Sequence, residues 1–210
     1  MAAMSLDPYE IRRALRHLRT ADPVMGDVIK KAGPFRLKLG RDRFHMLVAS
    51  IISQQISGKA AASIRQKLAQ YIAPEKISTE SLARLSHEEL RSVGLSPQKA
   101  TYLLDLAERV ANGSLRLDRM GRMPDEKIID ALVEVKGIGI WTAQMFLIFA
   151  LGRLDVFPHA DLGVRMAIRD LYGLEDLPDK DISHKIAAPW RPYASVATWY
   201  CWRSLEFKEN

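Results

Sequence analysis

Hydrophobic residues along this chain recur mostly at helical spacing. In the segment that begins near Arg41, apolar residues return every three or four positions, at Phe44, Leu47, Val48, Ile51 and Ile52. This spacing is typical of a helix with one buried face. Only a short piece, Leu37–Gly40, has extended character, and no segment alternates apolar and polar residues as a half-buried strand would. The pattern predicts an all-α fold of about ten helices joined by short turns.

Start and stop signals predict where these helices begin and end. Asp7, Pro8 and Glu10 combine an N-cap, a proline at the first helical position and a capping-box glutamate, for a helix that runs toward Arg19. Similar signals and the apolar spacing predict further helices from Arg41, from Ser57, over Ser86–Gly94, Ser96–Gly113, Asp125–Val135, Ile140–Phe149 and Asp161–Tyr172, and over Tyr193–Leu205.

Composition narrows the function classes. The 210 residues are 48% hydrophobic and 27% charged, enough for one sizeable core or two small helical lobes. The single cysteine, Cys201, excludes a disulfide framework, a zinc ribbon and an iron–sulfur cluster. The apolar run at Met145–Leu151 is too short to cross a bilayer, and no signal-peptide pattern opens the chain, so we expect an intracellular protein. A net charge of +6 weakly favours a polyanionic partner such as DNA.

The segment Leu132–Ala143 predicts a helical hairpin. One helix ends, a Gly-x-Gly turn follows at Gly137 and Gly139, and a second helix begins at once. Two glycines permit a tight turn and a close approach of a phosphate to the backbone, while the next helix offers its N-terminal amides. Such a hairpin can hold a DNA backbone without reading its sequence. Taken alone, the pattern is weak evidence and favours an ordinary turn between helices.

The hairpin and its neighbours resemble a known family. Lys136–Ala143, followed by Asp155–Gly163, is similar to the helix–hairpin–helix (HhH-GPD) DNA glycosylase superfamily. Within it, the chain most resembles the 3-methyladenine DNA glycosylase II branch (AlkA/Mag-like) in a compact form. Ser53–Ser57 and Pro189–Ala194, the latter together with Trp199, match two further motifs of the family in the same order.

The resemblance implies a domain organisation. Residues 1–210 would form a single catalytic glycosylase domain with two helical lobes and a DNA-binding cleft between them. One lobe would combine about 1–38 with 155–210, and the other would span about 39–154, with the helix–hairpin–helix at about 125–150.

The resemblance also implies an activity. A monofunctional DNA glycosylase would flip an alkylated purine, of the 3-methyladenine or 7-methylguanine type, out of the duplex and hydrolyse its N-glycosidic bond, with Asp161 as the catalytic carboxylate. Relatives that also cut the strand carry a lysine where this chain has Trp141, so no lyase activity is expected. Asp161 also fits a helix N-cap, and the two roles are compatible. Asp155 is expected to be structural, and His159 is a weaker candidate for a proton shuttle.

Further site residues follow from the matched motifs. The base pocket is expected from Trp141, Met145, Tyr193 and Trp199. The predicted DNA contacts are Gln54, Gln55, Ser57, Lys136, Gly137, Gly139 and Thr142, with Gln55 or Ser57 filling the gap left by the flipped base. The backbone carbonyls of Val133, Val135 and Ile138 would hold a monovalent cation, Na⁺ or K⁺, and no cofactor is expected for the chemistry.

Three other interpretations remain open from the sequence. The first is a non-catalytic helix–hairpin–helix protein that binds damaged DNA, the second is a glycosylase for another lesion, and the third is a purely structural helical protein. The expected partner in the main interpretation is damaged double-stranded DNA, bound by a monomer.

Overall fold

A computed structural model describes residues 6–40 and 42–208. Within these ranges the chain forms twelve α-helices and no strand, which confirms the all-α prediction. The helices are α1 (Pro8–Ala21), α2 (Pro23–Ala32), α3 (Arg43–Ser53), α4 (Gly58–Ile72), α5 (Thr79–Ala83), α6 (His87–Ser92), α7 (Pro97–Ala111), α8 (Asp125–Val133), α9 (Ile140–Phe149), α10 (Leu162–Tyr172), α11 (Lys180–Ala187) and α12 (Ala194–Leu205). Three short 3-10 turns lie at Met120–Arg122, Ala188–Trp190 and Glu206–Lys208. Over the described ranges, no helix has the length and apolar character that a bilayer crossing requires.

The chain divides into two compact units. The first comprises the described residues of Met1–Arg41 and Leu147–Asn210, and the second comprises Asp42–Phe146. The division falls within α9, so the hairpin formed by α8 and the start of α9 belongs to the second unit.

The first unit packs α1, α2 and α10 against α12. Its core contains large side chains that are fully buried, among them Leu18, Met25, Trp190 and Tyr200. Asp22 is a buried polar anchor in this core. It caps α2 by accepting from the Met25 amide at 3.1 Å, and its other oxygen accepts from the indole of Trp190 at 2.8 Å.

The second unit is organised around α7. This helix packs against α3, α5 and α6, and α3 also packs against α4. The apolar residues predicted to share one face of α3 are all buried, which confirms the helical spacing seen in the sequence. Burial of such a face supplies most of the stability of a short helix, because isolated helices of this length are marginal in water.

Most predicted helix ends are confirmed. Asp7, Ser57, Ser86 and Ser96 each accept a backbone N–H of the first turn that follows, and Ser86 also forms the predicted capping box with Glu89. The bounds predicted for α9 agree with the structure.

Other predicted details were wrong. Glu10 does not complete a capping box, since its carboxylate accepts from Arg13 at 2.9 Å. The helix predicted to reach Val135 ends at Val133, because the chain already turns into the hairpin there. The segment predicted from Arg41 becomes helical at Arg43, and Arg41 itself lies outside the described residues. Helices α2, α5 and α11 were not predicted.

Candidate functional site

The hairpin turn is shaped by Gly137. This residue has φ +80°, and a Cβ built on it would lie 2.1 Å from Cδ2 of Tyr102 on α7. A glycine is therefore required here both for the backbone conformation and for the close packing of the Tyr102 ring. Gly139 has open space around its Cβ position, so its neighbourhood can accept an approaching group.

Two contacts fix the hairpin within its unit. The backbone N–H of Lys136 donates to the Asp105 carboxylate at 3.0 Å, and Arg109 pairs with the same carboxylate at 3.0 Å. On the other side of the turn, the Gln54 side-chain amide donates to the Gly137 carbonyl at 2.7 Å. The hairpin is thus held by α7 and by the turn after α3, rather than by its own residues alone.

The start of α9 is a helix N-terminus, where an anion is favoured in general. The Ala143 N–H donates to the Gly139 carbonyl at 3.0 Å, so the first turn of α9 follows directly on the hairpin turn. The helix dipole adds positive potential at the same point. The Lys136 side chain is largely exposed nearby in the turn, whereas the Thr142 side chain is buried.

The turn after α3 presents Gln55 to solvent. Gln55 is the one described residue other than glycine with positive φ, +56°, a conformation that costs free energy for an L side chain. Lys99 stabilises the turn by donating its ammonium to the carbonyls of Ile52 at 2.7 Å and Gln54 at 2.6 Å. Burial lowers the pKa of Lys99. Ser57 is exposed and caps α4 through the Ala60 N–H at 3.2 Å.

The proposed cation ligands lie in the segment between α8 and α9. Val133 is the last residue of α8, and the carbonyl of Val135 accepts from the Ile138 N–H at 3.0 Å. A carbonyl oxygen has two lone pairs, so this bond does not prevent cation binding at Val135. Carbonyl oxygens suit a hard monovalent cation, and their involvement here stays a prediction.

Asp161 lies at the N-cap of α10 and is 9% exposed. Its Oδ1 accepts from the Val164 N–H at 2.8 Å and from the Trp202 indole N–H at 2.9 Å. The capping interaction is therefore real, as the simpler interpretation of the sequence expected. The two donors tie Oδ1 of the carboxylate to both α10 and α12.

The Trp202 indole also forms a wall of a recess. This recess has a volume of about 700 Å³, and Phe149, Trp199 and Trp202 give it aromatic walls. The rings of Phe149 and Trp202 are stacked, with centroids 5.7 Å apart and planes at 16°. Arg36, together with Arg203 and Glu206, which pair with each other, adds charged groups to the lining. Aromatic walls of this kind can contact the face of a flat aromatic ligand.

The other predicted base-pocket residues lie elsewhere in their units. Trp141 is 45% exposed at the start of α9, and Met145 is buried. Tyr193 is buried next to His17, with ring centroids 5.6 Å apart, and it lines a different recess of the first unit. Of the four predicted side chains, Trp199 is the one that lines the aromatic recess, and the roles of the other three stay predictions.

Asp155 and His159, the other two polar residues considered near the motif, both have structural contacts. Asp155 accepts from the Ala194 N–H at 3.3 Å and pairs with Arg191 at 3.5 Å. His159 lies against His184, with ring centroids 5.0 Å apart. Partial burial and the neighbouring charges of His184 and Lys180 lower the pKa of His159, which disfavours its charged form.

Sequence reasoning missed Trp202, the side chain that contacts the candidate carboxylate directly. A usable signal existed, because Trp199 and Trp202 are three residues apart on one predicted helix and therefore share a face. The partner could not be identified, since Asp161 is 41 residues away along the chain.

Comparison with known proteins identifies relatives that match most of this chain. Residues 48–192 match the family described as HhH-GPD superfamily base excision DNA repair protein. DNA-3-methyladenine glycosylase 1 of Schizosaccharomyces pombe is 30% identical over 209 residues, which cover 95% of this chain and 90% of that protein. The YfjP protein of Bacillus subtilis is 34% identical over 169 residues, or 78% of this chain, and the match spans 59% of YfjP.

Solved structures show the same fold. A DNA-3-methyladenine glycosidase from Bacillus halodurans aligns with a TM-score of 0.87 and 33% identity, over 100% of this chain and 95% of that one. The Schizosaccharomyces pombe 3-methyladenine DNA glycosylase Mag1, solved in complex with abasic DNA, aligns with a TM-score of 0.82 and 30% identity, over 92% of this chain and 97% of that one.

Proposed function

This chain belongs to the HhH-GPD superfamily of base excision DNA repair proteins, and from that premise we propose that it is a DNA glycosylase that hydrolyses the N-glycosidic bond of alkylated purines. Its relatives with this fold and about 30% identity are named for activity on 3-methyladenine. The substrates we propose are purines of the 3-methyladenine and 7-methylguanine type in double-stranded DNA.

The observation that carries the proposal is the setting of Asp161. Its carboxylate follows the hairpin helix in the chain and is held by donors from α10 and α12. The donor from α12 is the Trp202 indole, and this indole also lines the aromatic recess. Breaking an N-glycosidic bond builds positive charge on the deoxyribose. A fixed carboxylate stabilises that charge in the transition state and can orient or deprotonate the attacking water.

The leaving group explains why one carboxylate suffices. An alkylated purine of this type is already cationic, so it departs without strong general-acid help. A base must leave the stack before it reaches such a site, and aromatic walls then hold it. The π-faces of Trp199 and Trp202 also attract a cationic ring, which favours alkylated over normal bases.

The second unit supplies the DNA-holding elements in this proposal. The hairpin turn at Gly137–Gly139 and the exposed Lys136 would bind a phosphate, and a Na⁺ or K⁺ held by the carbonyls of the turn would add to that contact. Gln55 is exposed on a stiff turn and is suited to fill the space of the flipped base. We propose a monomer acting on genomic DNA inside the cell, because the lesion and the hairpin contacts require no second copy.

The product would be an intact strand with an abasic site. Strand cleavage by relatives needs an amine nucleophile that forms a Schiff base, and Trp141 occupies that position of the motif. Borohydride trapping on abasic DNA should therefore leave no covalent adduct.

The decisive experiment measures base release from methylated DNA by the wild type and by Asp161→Asn. We expect release of 3-methyladenine and 7-methylguanine by the wild type and its loss in the variant, with binding to abasic DNA retained. Asp22→Asn is the matched control, because Asp22 is also an N-cap that accepts from an indole N–H but lies in the core. The control should keep its activity. Binding of abasic DNA by a wild type that releases no base would instead support a non-catalytic damage-binding protein.

A further inference from the structure

We propose that Trp202 is a positioning residue for the reaction, whose indole N–H fixes the Asp161 carboxylate while its ring forms the wall that the extruded base contacts. The inference rests on the proposed glycosylase function. It adds a link between substrate binding and catalysis, since one side chain would serve both the recess and the carboxylate.

The first line of evidence is the geometry at Oδ1 of Asp161. One donor, the Val164 N–H, belongs to the helix that Asp161 caps, and the other, Trp202 Nε1, belongs to α12. The Trp202 donor comes from a different helix, so it ties the carboxylate to α12 as well as to the helix that it caps. A group that must lie within tenths of an ångström of a reacting centre needs such support.

The second line of evidence is how closely the surroundings fit the indole. A Cβ built on Gly163 would lie 3.2 Å from Oδ1 of Asp161 and 3.2 Å from Cδ1 of Trp202. Glycine at this position lets the indole approach the carboxylate. Phe149 also stacks on the indole, with planes at 16°. The ring therefore has a defined orientation and is not a loosely held surface side chain.

The third line of evidence is a contrast within the same unit. Asp22 and Trp190 form another carboxylate–indole pair at a helix N-cap, with Nε1 and Oδ2 2.8 Å apart. Trp190 is fully buried and has no exposed face, which is the expected situation for a purely structural bond. Trp202 is only partly buried and lines the recess beside Trp199. An occupant of the recess would press on the same ring that holds Asp161.

The consequence for the reaction is specific. Loss of the indole N–H should slow the bond-breaking step, because the carboxylate is less well aligned with the developing charge. A misalignment of this kind typically costs between about 10-fold and 100-fold in rate. DNA affinity should change little if the ring surface is kept, because a phenyl ring can still pack against Phe149.

The test uses single-turnover kinetics with excess enzyme on a duplex that contains one alkylated purine. The variants are Trp202→Phe and Trp202 replaced by β-(3-benzothienyl)alanine, which keeps the bicyclic ring and puts sulfur in place of the N–H. Trp190→Phe is the matched control, since it also removes an indole–carboxylate bond from this unit. Thermal unfolding of every variant measures the structural cost separately.

The expected result is a rate at saturating enzyme that falls at least 10-fold in both Trp202 variants, with the half-saturating concentration within about 3-fold of wild type. Trp190→Phe should keep the wild-type rate despite a lower melting temperature. The proposal is overturned if the Trp202 variants keep the rate, if they lose only affinity, or if both Trp202→Phe and Trp190→Phe lose rate in step with their stability. A wild type that releases no base would refute the glycosylase function and, with it, this inference.

Discussion

Replacing Gly137 with alanine puts a methyl group into the ring of Tyr102. The new Cβ would lie 2.1, 2.5 and 2.6 Å from three atoms of that ring, whereas ordinary contact begins near 3.4 Å. The ring or the hairpin must therefore move by about 1 Å or more to restore ordinary packing distances. Gly139, two residues later, offers a matched control, because its Cβ would meet nothing within 4 Å.

The magnitude follows from two separate costs. Overpacking of this kind typically destabilises a protein by about 1–3 kcal/mol. The positive φ of Gly137, +80°, adds about 1–2 kcal/mol for any residue that carries a Cβ. Gly137→Ala should therefore lower the free energy of unfolding by about 2–5 kcal/mol, a large part of the stability of a typical domain. Gly139→Ala should change it by no more than about 0.5 kcal/mol.

The assay is urea unfolding of the two variants, followed by titration with duplex DNA. Gly139→Ala should stay stable but bind DNA more weakly, because its methyl group occupies the space that a phosphate would enter. Addition of Tyr102→Ala to Gly137→Ala should recover the overpacking cost and leave the backbone cost, so the cycle should show a coupling of about 1–3 kcal/mol. Equal stability of the two alanine variants, or a cycle with no coupling, would refute the assignment of the clash to Tyr102.

Three further predictions concern other residues of the two units. Lys99→Met removes the donor to two turn carbonyls and should lower the free energy of unfolding by about 1–3 kcal/mol. It should also weaken binding to abasic DNA, as measured by fluorescence anisotropy, because the turn that carries Gln55 loosens. Gly163→Ala should slow base release without loss of melting temperature, since alanine favours the helix while its methyl group lies 3.2 Å from Trp202. Burial and two nearby carboxylates raise the pKa of Cys201, so iodoacetamide near pH 8.5 should modify the unfolded chain and leave the folded protein unlabelled by mass spectrometry.

The fold was largely predictable because its signals are local. Helical spacing and caps are set by residues a few positions apart, so α3, α6 and α9 could be recognised from short windows. The missed α2 carried the same signal as α1, since Asp22 and Pro23 repeat the N-cap and proline pattern of Asp7 and Pro8. The start of α2 could therefore have been predicted from the sequence.

The other two missed helices had weaker local signals. α5 has only five residues, too few to show a periodic face. Helix α11 has only eight residues, so its apolar positions form a short pattern, and Ile182 is 45% exposed. Their positions depend on packing with neighbouring helices, which a single sequence window does not record.

The candidate site also combines features with local sequence signals and contacts that have none. The N-cap position of Asp161 and the hairpin turn at Gly137 and Gly139 could be predicted from motifs of a few consecutive residues, and the catalytic role of Asp161 stays a proposal. The contact of Tyr102 with Gly137 and that of Lys99 with the Gln54 carbonyl depend on how α7 packs in the second unit. Such contacts join residues that are 35 and 45 positions apart, and no local pattern indicates them.

The two interpretations of Asp161, helix cap and catalytic group, support each other physically. As a cap, its Oδ1 accepts from Val164, and the positive end of the α10 dipole lies at its carboxylate. Both effects hold the group in place before the substrate arrives, so no reorganisation is needed when charge develops on the sugar. Asparagine caps a helix about as well as aspartate but carries no charge. Asp161→Asn therefore keeps the structural role and removes the charge to which the proposal assigns the catalysis. Loss of base release in a variant of unchanged stability would assign the chemistry to the charge itself.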